Sequence, residues 1–378
     1  IFINEIRMGK IYTKELTFLS NYSWDNPNVL ELLCETASYR EKRIRHFSKP
    51  QSIFKEIIKV SKESYINFID SRPLFNFSIK FSKIPILNII QEKFIWNQVY
   101  GKKKENEFKV LIYNNLDSLY NLKKYFYGNF DLLIYLCEDY SDLNKRLIDN
   151  CEIADCILII PKSMLKVIKK EFPDKKIIHW PQPVTNISLY DLSNKDKRMV
   201  DQILSNIPKP RIIYSGHGLD RLDKDIFYKA SQTLKNCSFI YFGDKSNIDG
   251  ENIFQLPSFT KHQMKYIISR SQVGFMPYDT SDLHNFHCVP LKLFDYFSEG
   301  LPVVSSKLLN VIEYKHLIYM CQSIDQFVVS LKKALNETVN SKNRIRRKEV
   351  FEHHSTFSRC DDFNNTINKL LHIKINSL

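Results

Sequence analysis

Lys292 and Asp295 stand three residues apart in the stretch PLKLFDYFSEGLPVVSS, residues 290–306. Folding accounts for most of their neighbours. Pro290 suits the first position of a helix, and Leu291, Phe294, Tyr296 and Phe297 can cover its buried side. Gly300 suits the residue that ends it, and Pro302 forbids continuation into the strand that follows. Lys292 and Asp295 are left over. Their spacing puts both on one helical face near the N-terminus, where the helix carries about half a positive charge and free N–H groups. A lysine there makes a site for a pyrophosphate, and an acid one turn deeper can accept hydrogen bonds from ribose hydroxyls. The alternative is a plain surface ion pair between the two, worth less than about 1 kcal/mol.

Two loops lie close enough in the pattern to join them. The stretch FMPYDTSDLHNFHCV (275–289) places Tyr278, His284 and His287 in a polar loop directly before the helix. YSGHGLDRLD (214–223) is a second strand-to-helix turn, in which Gly216 and Gly218 let the backbone approach a phosphate and Arg221 adds charge. Lone loop histidines are more often surface residues than ligands. The Gly-x-Gly is a weak signal, and the full dinucleotide fingerprint is absent, which argues against an NAD enzyme.

The elements that must position these residues alternate between short apolar runs and longer amphipathic stretches. Strands are predicted at 16–21, 108–115, 131–139, 156–161 and 176–181, with a helix after 142 and another from 163 that Ser163 would cap. The polar stretch QPVTNISLYDLSNKDKRMVDQILSNIPKP reads as a linker. The pattern then restarts with RIIYSGHG, a helix near 223–235, SFIYFGD, NIFQLPS, the helix KHQMKYIISRS and VGFMPY. Strands alternating with helices imply an α/β fold with parallel sheets, here two units in tandem.

Bulk numbers fit that reading. The chain has 378 residues, enough for two or three domains, and 43% hydrophobic residues exclude a disordered chain. A net charge of +13 favours anionic partners, or reflects a composition rich in lysine throughout. Between 40 and 106, Lys and Arg outnumber acids more than two to one, with Phe, Ile and Trp interleaved. That segment reads either as a surface for anionic lipid or as ordinary helices with a basic face. The 8 cysteines are scattered without a CxxC pair and read as free thiols in a reducing compartment. No apolar run reaches the roughly 20 residues that span a bilayer. Ile1 rather than Met at the start leads us to expect that a few residues precede it.

Strand, Pro-Tyr, polar loop and PLKLFDY…G-x-PVVSS together resemble the nucleotide-sugar site of glycosyltransferases with the GT-B fold, whose pattern reads Pro-x-Lys-x-x-Glu-Tyr-x-x-x-Gly-x-Pro-Val-Val. Asp295 stands where the acid is commonly Glu, and His287 stands where many members carry a second acid. The latter departure resembles the inverting branch that includes xanthan-type glucuronosyltransferases. FLSNYSWDNPNVLELLCETA (18–37) and LLIYLCEDYSD…CEIADCILIIPKSML (132–165) are similar to further parts of that family.

The resemblance implies two Rossmann-like domains facing across a cleft. The first, 1–190, would bind acceptor, and the second, 205–345, would bind nucleotide sugar. A C-terminal helix, 346–378, would pack back on the first domain. It implies transfer of a sugar from a nucleoside-diphosphate sugar, UDP being the expected nucleotide, to a glycan or lipid-linked acceptor in cell-surface polysaccharide synthesis. The enzyme would be cytoplasmic, at the inner face of the membrane through 40–106, with no cofactor, no essential metal and no nucleic-acid partner. Gly216, Arg221, Tyr278, His287, Pro290, Leu291, Lys292 and Asp295 would bind the donor. An inverting transfer needs a base for the acceptor hydroxyl. Asp139, at the end of a strand, is the first choice, with Glu138 and Asp142 behind it and Asp25 in the first loop as the other candidate. The alternative for Asp139 is a helix N-cap, and Asp25 could equally cap its own helix. The remaining alternatives are a retaining transferase of the same fold and a non-catalytic basic module for membrane or nucleic acid.

Overall fold

A computed structural model describes residues 13–20, 56–59, 64–70, 107–113, 129–217, 220–243, 248–337 and 340–376. The chain divides into two compact units, Ile1–Thr185 with Thr356–Leu378, and Asn186–Ser355.

The first unit is built on β1 (Thr13–Ser20), β2 (Glu56–Lys59), β3 (Ser64–Asp70), β4 (Glu107–Tyr113), β5 (Leu132–Cys137), β6 (Cys156–Ile159) and β7 (Lys176–His179). Their order in the sheet is β2-β3-β1-β4-β5-β6-β7. Only the β2–β3 pairing is antiparallel. All residues of β5 and β6 are buried, as befits parallel strands covered on both faces. Helices α1 (Lys145–Ile153) and α2 (Lys162–Glu171) pack Leu147, Met164 and Ile168 against Leu133, Tyr135 and Ile157. Asn144 caps α1, accepting from the Leu147 N–H. Ser163 does not cap α2; the helix starts one residue before it, with Pro161 in the cap position. The segment 40–106, expected as helices or a lipid-facing surface, contributes β2 and β3 instead. SYINFID carries the β-branched and aromatic residues of a strand, and the rest of that segment lies outside the described residues.

The second unit is built on a sheet of β8 (Arg211–His217), β9 (Ser238–Phe242), β10 (Ile253–Leu256), β11 (Val273–Met276), β12 (Val303–Ser306) and β13 (Tyr319–Cys321), in the order β10-β9-β8-β11-β12-β13. Every pairing is parallel. Successive strands step outward in one direction from β8 and in the other from β11, so the order reverses between these two. Its helices are α3 (Asn194–Ser205), α4 (Lys224–Thr233), α5 (Lys261–Ser269), α6 (Leu283–His287), α7 (Leu291–Ser298), α8 (Ile324–Leu335) and α9 (Lys342–His354). The core packs Phe227, Phe239, Phe275 and Phe327 around the sheet.

The stretch expected as a linker holds α3. Ser193 caps it, and Val200 and Leu204 are buried. Asp196 accepts from Gln263 Nε2 at 2.8 Å and Asp201 accepts from Tyr266 Oη at 3.0 Å, both on α5. The tail expected to return as one helix from 346 is divided at Ser355. Residues 342–354 stay with the second unit, while α10 (Thr356–Asn376) belongs to the first. There the Thr356 N–H donates to the Val184 carbonyl at 2.9 Å. Trp180 meets Phe363 edge-on at 5.1 Å and lies under the Arg359 guanidinium at 4.8 Å. Among the described residues no helix is long and apolar enough to cross a membrane.

Gly300 ends α7 as its type suggests, with φ +68°. Its N–H donates to the Phe297 carbonyl at 2.9 Å and the Leu301 N–H to that of Tyr296 at 3.0 Å, the paired bonds of a Schellman motif. A Cβ at Gly300 would lie 2.5 Å from Arg344 Cγ and 3.0 Å from the Arg344 carbonyl oxygen. Gly300→Ala is therefore expected to lower stability by at least about 1 kcal/mol, read as a lower denaturation midpoint.

Candidate functional site

The carboxyl ends of β8 and β11 flank the point where strand order reverses, the usual ligand position in open parallel sheets. The loops leaving these strands are laced together. The Asp223 N–H donates to the Pro277 carbonyl at 2.8 Å, and Leu222 bridges Tyr278. The Asp279 N–H donates to the Arg221 carbonyl at 3.0 Å. Asn285 Nδ2 donates to the carbonyls of Arg221 and Asp279. Asp223 and Asp282 cap α4 and α6, and so fix where each loop becomes a helix.

Lys292 enters this junction from the first turn of α7. Its Nζ donates to the Tyr278 hydroxyl at 2.5 Å and lies 5.0 Å from the ring centroids of both Tyr214 and Tyr278. Among the described residues it makes no salt bridge, with Asp295 or any other carboxylate. Burial lowers the Lys292 pKa to about 8; Arg221 pushes the same way, and Cys288 and Asp295 oppose it. The surface-ion-pair alternative thus fails. Lys292 is a half-buried, partly desolvated cation held by aromatic rings and a neutral phenol.

The helix start offers more. Pro290 is the cap residue, one position earlier than expected, and it has no side chain that can accept from the first-turn N–H groups. Leu291, the first helical residue, is 36% exposed. The Tyr296 hydroxyl bolts α7 to β8: it accepts from the Ser215 N–H at 2.9 Å and donates to the Ile213 carbonyl at 3.1 Å. Gly216 packs against Tyr214, where a Cβ would sit 2.4 Å from the Tyr214 hydroxyl oxygen. Only glycine fits there without moving a wall of the Lys292 cage.

Arg221 is exposed, and its Nη2 lies 3.1 Å from His284 Nε2. Because a guanidinium only donates, this contact requires His284 Nε2 to be unprotonated. Asp295 is exposed too, yet dense protein surrounds it. Burial pushes its carboxyl up to about 6, against the pull of Lys261, Lys292 and Lys265. Water contact screens that effect. His287 is half-buried at the end of α6, its ring edge-on to Phe286 at 5.2 Å and its carbonyl bonded by Asn310 Nδ2. Burial lowers its pKa.

The structure therefore joins Gly216, Arg221, Tyr278 and Lys292, with Pro290, Leu291 and Asp295 on the same helix start. It adds Tyr214, Ser215, Tyr296 and His284. Gly218 and Asp25 lie outside the described residues. Asp139 is in the first unit, exposed just beyond β5, its carbonyl accepting from Cys137 Sγ at 3.6 Å. It does not cap a helix, since Asn144 does that. Asp142, also exposed, accepts from the Tyr140 hydroxyl at 3.0 Å. Among the described residues no group of His, Cys, Asp and Glu is arranged to hold a metal ion.

No family model and no curated protein matches the chain. Solved structures do. The alpha,alpha-trehalose 6-phosphate synthase from Burkholderia multivorans is 10% identical over 97% of this chain and 98% of that one, with a TM-score of 0.65. An E. coli structure described as trehalose-6-phosphate bound with UDP-2-fluoro glucose is 10% identical over 94% and 99%, with a TM-score of 0.64. The UDP-forming alpha,alpha-trehalose-phosphate synthase from Burkholderia xenovorans, in complex with glucose-6-phosphate, is 12% identical over 94% and 99%, also at 0.64. These neighbours are not glucuronosyltransferases of the xanthan type. Likeness at such identity establishes architecture, and the architecture is that of the GT-B fold.

Proposed function

We propose that the chain is a glycosyltransferase that uses a nucleoside-diphosphate sugar, with UDP as the nucleotide. One observation carries the reading. A half-buried lysine with no carboxylate partner among the described residues sits at a helix start without a side-chain cap, at the switch point of a parallel sheet. Lys292, Arg221 and the free N–H groups of α7 would neutralise the leaving diphosphate. Gly216 allows its close approach, Asp295 would take the ribose hydroxyls, and His287 would line the pocket. The neighbour solved with UDP-2-fluoro glucose supports the same donor class.

Two acceptor readings stand. The neighbour in complex with glucose-6-phosphate favours a sugar phosphate. The resemblance around Lys292, with His287 in place of a second acid, favours inverting transfer to a glycan or lipid-linked acceptor in polysaccharide synthesis. In that reading the basic segment 40–106 meets the inner face of the membrane and the enzyme is cytoplasmic. Neither reading calls for a bound metal. A panel of nucleotide sugars, scored by nucleotide release with sugar phosphates or with a lipid extract, separates them. A chain that binds neither UDP nor any other nucleoside diphosphate overturns the proposal.

Asp139 is the proposed general base for the acceptor hydroxyl. Asp139→Asn is expected to lower turnover by about a hundredfold or more while leaving calorimetric donor affinity unchanged. Full activity in that variant would place the base elsewhere.

A further inference from the structure

We propose that Tyr278 is a positioning residue: its hydroxyl holds the Lys292 ammonium aimed and charged for the donor, and touches no donor atom itself. The inference rests on the donor reading above and revises the expectation that Tyr278 binds the donor. Tyr278 is 2% exposed, and its hydroxyl oxygen accepts from the Lys292 ammonium. Its backbone is fixed twice, by the Ser306 hydroxyl donating to its carbonyl at 2.8 Å and by its bridge to Leu222. Its ring meets Tyr214 edge-on at 6.5 Å and 80°. An ammonium placed against this pair has little freedom to wander.

The choice of a phenol has chemical content. An ammonium has three donors. Tyr278 takes one, and two remain without a protein partner among the described residues. Burial raises the Tyr278 hydroxyl well above its ordinary pKa, so it presents a neutral lone pair and not a phenolate. A carboxylate in its place would also hold Lys292, but it would cancel the charge and repel a phosphate. The two ring faces add attraction for the cation without any net charge. Tyr278 and Tyr214 therefore hold Lys292 while leaving its full positive charge for an anion. The other ionisable groups that face it are Arg221 from the loop after β8, Cys288 just before α7 and Asp295 on α7.

Because the hydroxyl accepts from the ammonium, it favours the charged form, and removing it lowers the pKa at which Lys292 gives up its proton. The test follows the Lys292 Cε resonance in ¹³C-lysine-labelled protein, assigned by its loss in Lys292→Ala, from about pH 6 to about pH 10. In Tyr278→Phe the midpoint is expected to fall by about one pH unit or more. In Tyr214→Phe, which keeps the ring face, it is expected to stay. An unchanged midpoint in Tyr278→Phe, or equal shifts in both variants, overturns the inference. UDP-glucose calorimetry on the same proteins reads the function separately. Affinity should decline with pH in step with each Lys292 midpoint. A shifted midpoint without any nucleotide binding would keep the positioning role and remove the donor.

Discussion

Lys292→Ala is expected to weaken UDP-glucose binding about tenfold to a hundredfold, the range that loss of a charge-assisted hydrogen bond to phosphate implies. The same change should leave thermal stability unchanged or raise it. The wild-type ammonium is partly desolvated, lacks a carboxylate partner among the described residues and has its pKa lowered to about 8. A lysine whose pKa falls on folding opposes folding wherever it must stay charged. That opposition is complete below about 8 and fades as pH rises toward the unfolded value. Wild-type stability should therefore rise across that window relative to the alanine variant. Wild-type affinity should fall across it, because the neutral amine no longer attracts phosphate. A residue that weakens the fold and strengthens binding is kept for binding. Unchanged affinity in Lys292→Ala would remove the diphosphate from this site.

Arg347→Ala is expected to destabilise the second unit by about 3–5 kcal/mol. Arg347 is 1% exposed. Its Nη1 and Nη2 grip Glu337 Oε1 and Oε2 at 2.6 and 2.9 Å, its Nε donates to the Leu317 carbonyl at 2.8 Å, and Nη1 reaches the Gly300 carbonyl at 3.3 Å. Truncation strands a largely buried carboxylate and two carbonyls at once. Burial pushes the Glu337 carboxyl up, but hydrogen bonds from Arg347 and Ser341 and the charges of Arg347 and Arg344 outweigh it, so its pKa is lowered. The stabilisation is thus present above the ordinary glutamate value of about 4.3 and lost as pH falls through the folded value. Denaturant midpoints of wild type and variant should converge in acid. Equal midpoints at neutral pH would contradict this account.

How legible each part was depended on how local its cause is. The frame of α7 could be read directly, because proline, apolar spacing and Gly300 sit within eleven consecutive residues. Lys292 stood out for the same reason. Its cage did not, because Tyr214 in the middle of β8 looks like any buried strand aromatic and meets Lys292 only when β8 and β11 pair. The Arg221–His284 contact was likewise hidden: a loop histidine carries little signal until the facing loop is known. Polarity misleads twice. α3 has a thin apolar face in a polar sequence and reads as a linker, and the basic bias of 40–106 as a whole masks the strands β2 and β3, whose own residues are not basic on balance. Arg347, in a run that looks like a solvated basic face, proved to be among the largest fully buried side chains.

The reversal of strand order between β8 and β11 has a consequence for when this protein becomes competent. Arg221 and Tyr214 arrive with the early half of the second sheet, and Tyr278 and Lys292 with the late half. Neither half alone gathers both cations, so on the proposed donor reading a chain that has not yet added β11 and α7 is expected not to bind the nucleotide. Affinity should switch on in a single step once both wings have docked, which makes ligand capture a reporter of completed maturation.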